Sequence, residues 1–423
     1  MLIGGAVGLG GIMQGLHWRS VAQSSGIADL ETQLRLATEE NEMLKRENAS
    51  LRSLAQGGGE VAVPREAIDR AEKEMGLRFL SSPVVHQIAS EELRDRIAAA
   101  IESRFGPSGI DDRQDAYRLI GWLGPDDNLL AQLTLVRAVG AVGWFDDVTG
   151  EAWVTERFNP DDIPDQAALL RLLCRILLHQ HFPPPPGYPG DDAARAREAL
   201  HQGAASGAEA RFYAASARAL GFMPMRENAD VEQIFNSLPP VIQGLTTFPV
   251  INGKGLADTL HVQGNEALHA ALRNPPQTTR AILLPAETAV PEPLDTPAPP
   301  DEPFLTESAG QLGLRLWLEP LGDVGEADEI ASFWKNDRYV LLPDGEASTA
   351  VVWDIELETA ESLHRLLAAA NTRLAAMAGL DEPAPVGEII ATPAQRQLVL
   401  RRLSPTRLRF IHCATRALAE SDF

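Results

Sequence analysis

The chain has 423 residues, is 44% hydrophobic and carries a formal net charge of −22. This length allows two or three domains with cores of their own. The acidic excess argues against a general nucleic-acid-binding protein, because such proteins neutralise phosphates with Lys and Arg. Two cysteines, Cys174 and Cys413, exclude a disulfide framework and a thiolate metal site.

The N-terminal segment predicts a membrane anchor at residues 1–20. Residues 2–16 are uncharged, and Trp18 and Arg19 follow them as residues suited to a membrane interface. The apolar run is shorter than the ~20 residues of a full span and has no basic region before it. We expect an inner-membrane anchor with the globular part facing the periplasm; a glycine-rich leader is the alternative.

Residues 26–56 predict a parallel coiled coil that makes the chain a homodimer. About four heptads run from position 27 to position 55 without proline or glycine, and asparagine occupies two of the a positions. Such asparagines favour a two-stranded parallel coil, whereas a single solvated helix is the alternative. The residues expected at the dimer interface are Leu30, Leu34, Asn41, Leu44, Asn48 and Leu51.

Two breaks divide the remaining sequence, a flexible linker at 57–64 and a Pro-rich linker at 286–306. The fold class expected is α+β: a mainly helical domain at 65–285 with one short hairpin, and a small α+β domain at 307–423. Helical periodicity occurs at 65–75, 90–104, 112–123, 128–139, 165–179, 191–220 and 265–273. Residues 142–156 predict the hairpin, and Asp191 or Asp192 is expected to cap the following long helix.

The C-terminal part shows both the 3.6-residue period of helices and the two-residue alternation of strands. We expect strands at 312–321, 337–345 and 348–357, a helix at 359–379 and a second hairpin at 396–413.

Three motifs follow one another along the chain, "GWFDDVTGEAWV", "QHF" and "EALHQGAASGAEARFY". Their order resembles that in a family of uncharacterised bacterial envelope metallopeptidase-like proteins of the gluzincin type. "GWFDDVTGEAWV" is similar to the hairpin that precedes the zinc helix, and "QHF" at 180–182 matches the end of that helix. "EALHQGAASGAEARFY" at 198–213 stands where the family has its second zinc-binding helix. The resemblance covers about 66–370 and implies a zincin-like domain.

The same alignment places other residues at the metal positions. The two zinc-binding histidines correspond to Arg171 and Arg175, the general base to Leu172 and the third ligand to Gln202. Guanidinium has no lone pair for a metal, and leucine accepts no proton. The resemblance therefore implies an abandoned site with no catalytic residue, no metal and no cofactor.

Two roles are open for the arginine pair. Arg171 and Arg175 lie one helical turn apart and can form a structural ion-pair plug with Gln202, Glu198 or Glu209. Alternatively, a cleft of Arg171, Arg175, Gln202 and Glu198 binds an anionic ligand, such as a peptide carboxylate.

We therefore expect a membrane-anchored pseudo-metallopeptidase that binds or scaffolds a peptide or protein partner in the envelope. One alternative is an active hydrolase with displaced metal ligands, for which His179, His181 and His201 are candidates. Another is a purely structural envelope protein.

Overall fold

The computed structural model describes residues 59–106, 109–221, 229–286, 289–294, 301–322, 324–346, 348–383 and 385–421. Of these residues, 55% are helical and 14% lie in strands of two sheets, so the fold class is α+β. The predicted anchor at 1–20 and coiled coil at 26–56 lie outside the described residues. Within the described part, no helix is both long and apolar enough to cross a bilayer.

The first part of the chain is mainly helical, as its periodicity predicts. Three predicted helices, at 65–75, 191–220 and 265–273, have the bounds expected. The helices are α1 (Arg65–Met75), α2 (Ser90–Phe105), α3 (Gly109–Ile120), α4 (Leu129–Ala138), α5 (Ile163–His181), α6 (Asp191–Leu220), α7 (Ala229–Ser237), α8 (Pro240–Phe248), α9 (Lys254–Gln263), α10 (Asn265–Arg273) and α11 (Thr279–Leu283). A π-helical turn, Pro249–Gly253, joins α8 to α9.

A three-stranded sheet lies beside these helices, with strands β1 (His86–Ile88), β2 (Gly143–Phe145) and β3 (Ala152–Thr155). The predicted hairpin is confirmed, because β2 and β3 are antiparallel with Trp144 opposite Trp153. The third strand, β1, pairs parallel to β3 and has no signal in the sequence. The sheet order is β1-β3-β2, so β2 is an edge strand.

Helices α5 and α6 pack at the centre of this part. Helix α5 is buried along most of its length. Helix α6 approaches the π turn so closely that a Cβ on Gly253 would lie 2.1 Å from the carbonyl oxygen of Ala199. Glycine at 203 and 253 therefore sets the position of the π turn against α6.

The second sheet has six strands: β4 (Leu305–Glu307), β5 (Trp334–Pro343), β6 (Thr349–Leu357), β7 (Ile389–Ala391), β8 (Gln397–Arg402) and β9 (Arg407–Cys413). Their order in the sheet is β4-β5-β6-β9-β8-β7, and all are antiparallel to their neighbours. Both strands predicted around 337–357 and the hairpin at 396–413 are confirmed. The helical elements of this part are α12 (Gly310–Leu318), a 3₁₀ turn (Glu319–Leu321), α13 (Val324–Ser332), α14 (Ala360–Ala378) and α15 (Arg416–Glu420).

The strand predicted at 312–321 is wrong, because that segment forms helix α12 and a 3₁₀ turn. Every residue of α12 except Arg315 is buried, so its pattern shows no polar face from which a helical period could be read. The Asp337 carboxylate accepts the backbone N–H groups of Ala309 and Gly310, at 2.8 and 3.0 Å, and so stabilises the helix start.

The helical part and the six-stranded sheet share one hydrophobic core. The Trp122 ring packs 5.5 Å from that of Trp353, and the Trp317 indole donates to the carbonyl of Ile120 at 2.9 Å. Leu305 at the start of β4 lies within the predicted Pro-rich linker. The division into separate domains at 65–285 and 307–423 stays a prediction.

Candidate ligand-binding cleft

A cavity of about 170 Å³ opens where β2, α5, α6 and the π turn meet. It brings together Arg171, Arg175, Gln202 and Glu198, the four residues that the sequence groups in one cleft. Leu172 is instead 1% exposed within the core. The remaining lining residues come from three stretches of the chain, 100–104, 133–148 and 245–250: Ala100, Arg104, Leu133, Val136, Arg137, Val139, Ala141, Gly143, Trp144, Phe145, Asp146, Asp147, Val148, Leu245, Thr246, Pro249 and Val250.

Arg171 contacts a deeply buried carboxylate. Its Nε lies 3.2 Å from Oε2 of Glu209, whose side chain is 2% exposed. Neither of these two atoms makes a hydrogen bond within the described residues. Burial raises the pKa of Glu209 to about 8, although the Arg171 charge opposes this shift. Arg171 and Glu209 are therefore close but not hydrogen-bonded through these atoms. The Glu209 carboxyl group keeps its proton at neutral pH.

Arg175 pairs with Asp147, a residue of the β2–β3 turn that the sequence did not single out. The arginine side chain is 7% exposed, whereas that of Asp147 is 45% exposed. The guanidinium also lies over the ring of Phe145, 5.1 Å from its centroid. Burial lowers the pKa of Arg175 to about 10. Its charge is thus held deep in the cleft, and its ion-pair partner is an acid at the surface.

Glu198 interacts with two arginines from other helices. It accepts a hydrogen bond from Arg104 at 2.9 Å, and Arg137 lies 3.7 Å away. Burial opposes ionisation of Glu198, but the charges of Arg104 and Arg137 hold its pKa at about 2. Glu198 therefore stays anionic, and its ion-pair partners are Arg104 and Arg137. Sequence spacing could not show this, since α2, α4 and α6 meet only in the folded chain.

The lining carries more positive than negative charge. Four arginines face three carboxylates, those of Asp146, Asp147 and Glu198. The Gln202 side chain makes no hydrogen bond to any residue that the structure describes, so its amide is free to donate and accept. The cleft is thus an electropositive pocket with an available amide, in a chain whose net charge is −22.

The three histidines do not assemble a metal centre. His201 is buried with an unpartnered Nε2, His179 packs 5.9 Å from the Phe145 ring, and His181 bonds to the carbonyl of Arg78 at 2.7 Å. Burial lowers the pKa of both His179 and His201. Across the described ranges, no three His, Cys, Asp or Glu side chains are grouped as metal ligands would be.

The predicted capping role of Asp191 or Asp192 is wrong. The N-cap residue of α6 is Gly190, which has no side chain, and the backbone N–H of Asp191 donates to the Glu307 carboxylate at 2.7 Å. Asp191 instead accepts from Nε of Arg113 at 2.9 Å, and Asp192 accepts from the Thr279 hydroxyl at 2.6 Å. Both aspartates lie in the shared core, where they serve tertiary contacts that a local pattern does not encode.

No protein-family model, curated protein or solved structure matches this chain. The resemblance to gluzincin-type proteins therefore stays a prediction from the order of motifs in the sequence.

Proposed function

We propose that this chain is a binding protein whose cleft recognises a carboxylate on a peptide, on a zincin-like scaffold that no longer performs metal chemistry. One observation carries this proposal. Arg171, Arg175 and Gln202, which stand at the metal-ligand positions of the resembled family, line one cavity and present guanidinium and amide groups to it. Arginine binds carboxylates with paired, charge-assisted hydrogen bonds.

The edge strand β2 supports a peptide as the ligand. Thr155 donates to Val142, and Asp146 donates to Glu151, so residues 142 and 146 face β3. By alternation, the N–H and C=O groups of Gly143 and Phe145 point away from β3. Both residues line the cavity. An extended peptide can therefore add to this edge by main-chain hydrogen bonds while its carboxylate reaches the arginines.

The N-terminal predictions complete the proposal. An anchor at 1–20 and a parallel coiled coil at 26–56 would hold two such clefts at the surface of the inner membrane, facing the periplasm. Two linked sites raise the avidity for a partner that presents two peptides. Charged replacements at Leu30, Leu44 and Leu51 should convert the dimer to a monomer in light scattering; a persistent dimer would place the interface elsewhere.

Calorimetry with acetyl-Gly-Leu and its amide tests the cleft. We expect the free acid to bind and the amide to bind at least about tenfold more weakly, because charge-assisted hydrogen bonds are lost. Arg175→Gln should remove this preference, since Asp147 is solvated enough to remain unpaired. Arg94→Gln makes the same charge change on the exposed face of α2 and should leave binding unaltered. Equal binding of acid and amide would refute carboxylate recognition.

A purely structural role is the second candidate, and the pairing of Arg171 with Glu209 favours it. In that case the double variant Arg171→Leu with Glu209→Leu would alter only the free energy of unfolding, with no peptide bound by either protein. An active hydrolase would instead show stoichiometric zinc and peptidase activity that is lost on chelation.

A further inference from the structure

A second cavity, of about 70 Å³, adjoins the cleft. We call it the side chamber. The two cavities have a common wall of six shared lining residues, which include Glu198 and its two ion-pair partners: Arg104, Leu133, Arg137, Glu198, Leu245 and Pro249. The side chamber therefore lies beside the part of the cleft that Glu198, Arg104 and Arg137 line.

Away from this wall, the side chamber is lined by equal numbers of apolar residues and of charged or phenolic ones. Helices α2, α3, α4, α8 and α12 contribute its apolar surface, which consists of Phe105, Ile110, Leu129, Leu133, Leu245, Phe248 and Leu312. Such a surface favours an aliphatic or aromatic group over a charged one.

The charged and phenolic groups of the chamber are already paired with one another. Arg113 and Arg195 both contact Asp191, at 2.9 and 3.2 Å, and Arg113 also pairs with Glu307. The Tyr188 hydroxyl donates to Asp191 at 2.6 Å. These groups therefore do not require a charge from an occupant.

The geometry points to a specificity pocket: we propose that the side chamber receives the apolar side chain of the residue whose carboxylate is bound in the cleft. The ligand class is thus a peptide with an aliphatic C-terminal residue. This inference rests on the proposed function. The volume is roughly five times that needed for one water, which allows a branched aliphatic side chain to enter.

Ile110 is the residue that tests the chamber, because it lines the side chamber but not the cleft. Calorimetry on the full chain would compare acetyl-Gly-Leu, acetyl-Gly-Phe and acetyl-Gly-Gly, all as free acids. We expect the leucine peptide to bind about tenfold or more tightly than the glycine peptide, because its side chain leaves water.

Filling the chamber with Ile110→Phe should reduce this ratio to about twofold or less, and enlarging it with Ile110→Ala should raise the affinity for the phenylalanine peptide relative to leucine. Ile234→Phe is the matched control, since Ile234 lies in α7 and lines neither cavity. Circular dichroism confirms that each variant is folded, and the alanine variant provides the test if the phenylalanine variant is not.

Equal affinities for the leucine and glycine peptides, or a ratio unchanged in the folded Ile110 variants, would overturn the specificity pocket while leaving carboxylate recognition intact. If none of the three acids binds, carboxylate recognition itself fails, and the pocket with it.

Discussion

Two buried arginine–carboxylate pairs in this protein differ in how completely they are bonded. In the six-stranded sheet, Arg409 on β9 lies opposite Asp354 on β6 and binds it through two hydrogen bonds of 2.6 and 2.8 Å. Both side chains are 4% exposed. In the cleft, Arg171 approaches Glu209 with one nitrogen at 3.2 Å, and neither atom makes a hydrogen bond within the described residues.

The difference indicates separate roles for the two pairs. A bidentate pair across neighbouring strands satisfies both charges, so it is retained as part of a rigid sheet. An incompletely bonded arginine beside a cavity keeps donors available to a ligand, at some cost in stability. The pair in the sheet should therefore matter for folding, whereas the arginines of the cleft should matter for binding.

The largest effect is expected for Arg409→Leu. It leaves Asp354 buried without its partner, which should reduce the free energy of unfolding by about 3–5 kcal/mol in urea denaturation. The double variant with Asp354→Leu should recover most of this loss, because no charge is then left unpaired. A loss below about 1 kcal/mol in the single variant would remove the contrast between the two pairs.

The glycine contact between α6 and the π turn comes next. Gly253→Ala should destabilise the protein by about 1–3 kcal/mol, because the new Cβ would meet the backbone of Ala199. It should also weaken peptide binding, since Pro249 and Val250 of this turn line the cleft. Gly255→Ala, two residues on and with no atom within 4 Å of the new Cβ, is the control and should be neutral or slightly stabilising in thermal denaturation.

The pH dependence of stability should separate two carboxyl groups of helix α6. The pKa of Glu209 is raised to about 8 from 4.5, so the folded protein binds a proton that the unfolded chain has released. Its contribution to the free energy of unfolding is full below pH 4.5 and is lost progressively as the pH rises to about 8. In urea titrations between pH 5 and 8, the free energy of unfolding of Glu209→Gln should therefore depend less steeply on pH than that of the wild type, by the contribution of one proton.

The contribution of Glu198 to stability should change with pH in the opposite direction. Its pKa is lowered to about 2 from 4.5, so its contribution is present above pH 4.5 and is lost as the pH falls towards 2. Glu198→Gln should flatten the curve only in this acid range. A Glu209→Gln curve parallel to the wild-type one between pH 5 and 8 would contradict the burial of an ionisable carboxyl beside Arg171.

The smallest effect on stability is expected for Asp147→Asn. The Asp147 side chain is 45% exposed, so loss of its pairing with Arg175 should cost less than about 1 kcal/mol. Binding of acetyl-Gly-Leu should become tighter, because Asp147 competes with the ligand carboxylate for Arg175. Weaker binding in calorimetry would show that Asp147 helps to hold the ligand, and would make the cleft pair more like the one in the sheet.

The sequence predicted much of the fold where local periodicity is clear. The hairpin around β2 and β3 and the long helix α6 follow from alternation and from the 3.6-residue period. Helix α12 was missed because nearly all of its residues are buried, so its sequence has no alternation of apolar and polar faces. Strand β1 was missed because three residues joining an existing hairpin carry no pattern of their own.

The candidate site was predicted in part. Arg171 and Arg175 share a helix face, and the matching motif order placed Gln202 and Glu198 on the helix that packs against it. Asp147 was not identified, because its pairing with Arg175 depends on how the hairpin turn folds over α5. The side chamber had no signal at all, since six helices, drawn from residues 90 to 318, form it only in the folded chain.

The sequence alone determined the helical character of the first part, the hairpin, and two positive charges one turn apart on an apolar helix. These follow from short-range periodicity and from residue chemistry. Only the tertiary structure decided that Glu209 and Asp147 are the partners of these charges and that Arg104 and Arg137 pair with Glu198. It also decided that the side chamber adjoins Glu198 and its two arginines. The physical reason is that burial and pairing depend on which distant segments close against one another, and local sequence does not encode that closure.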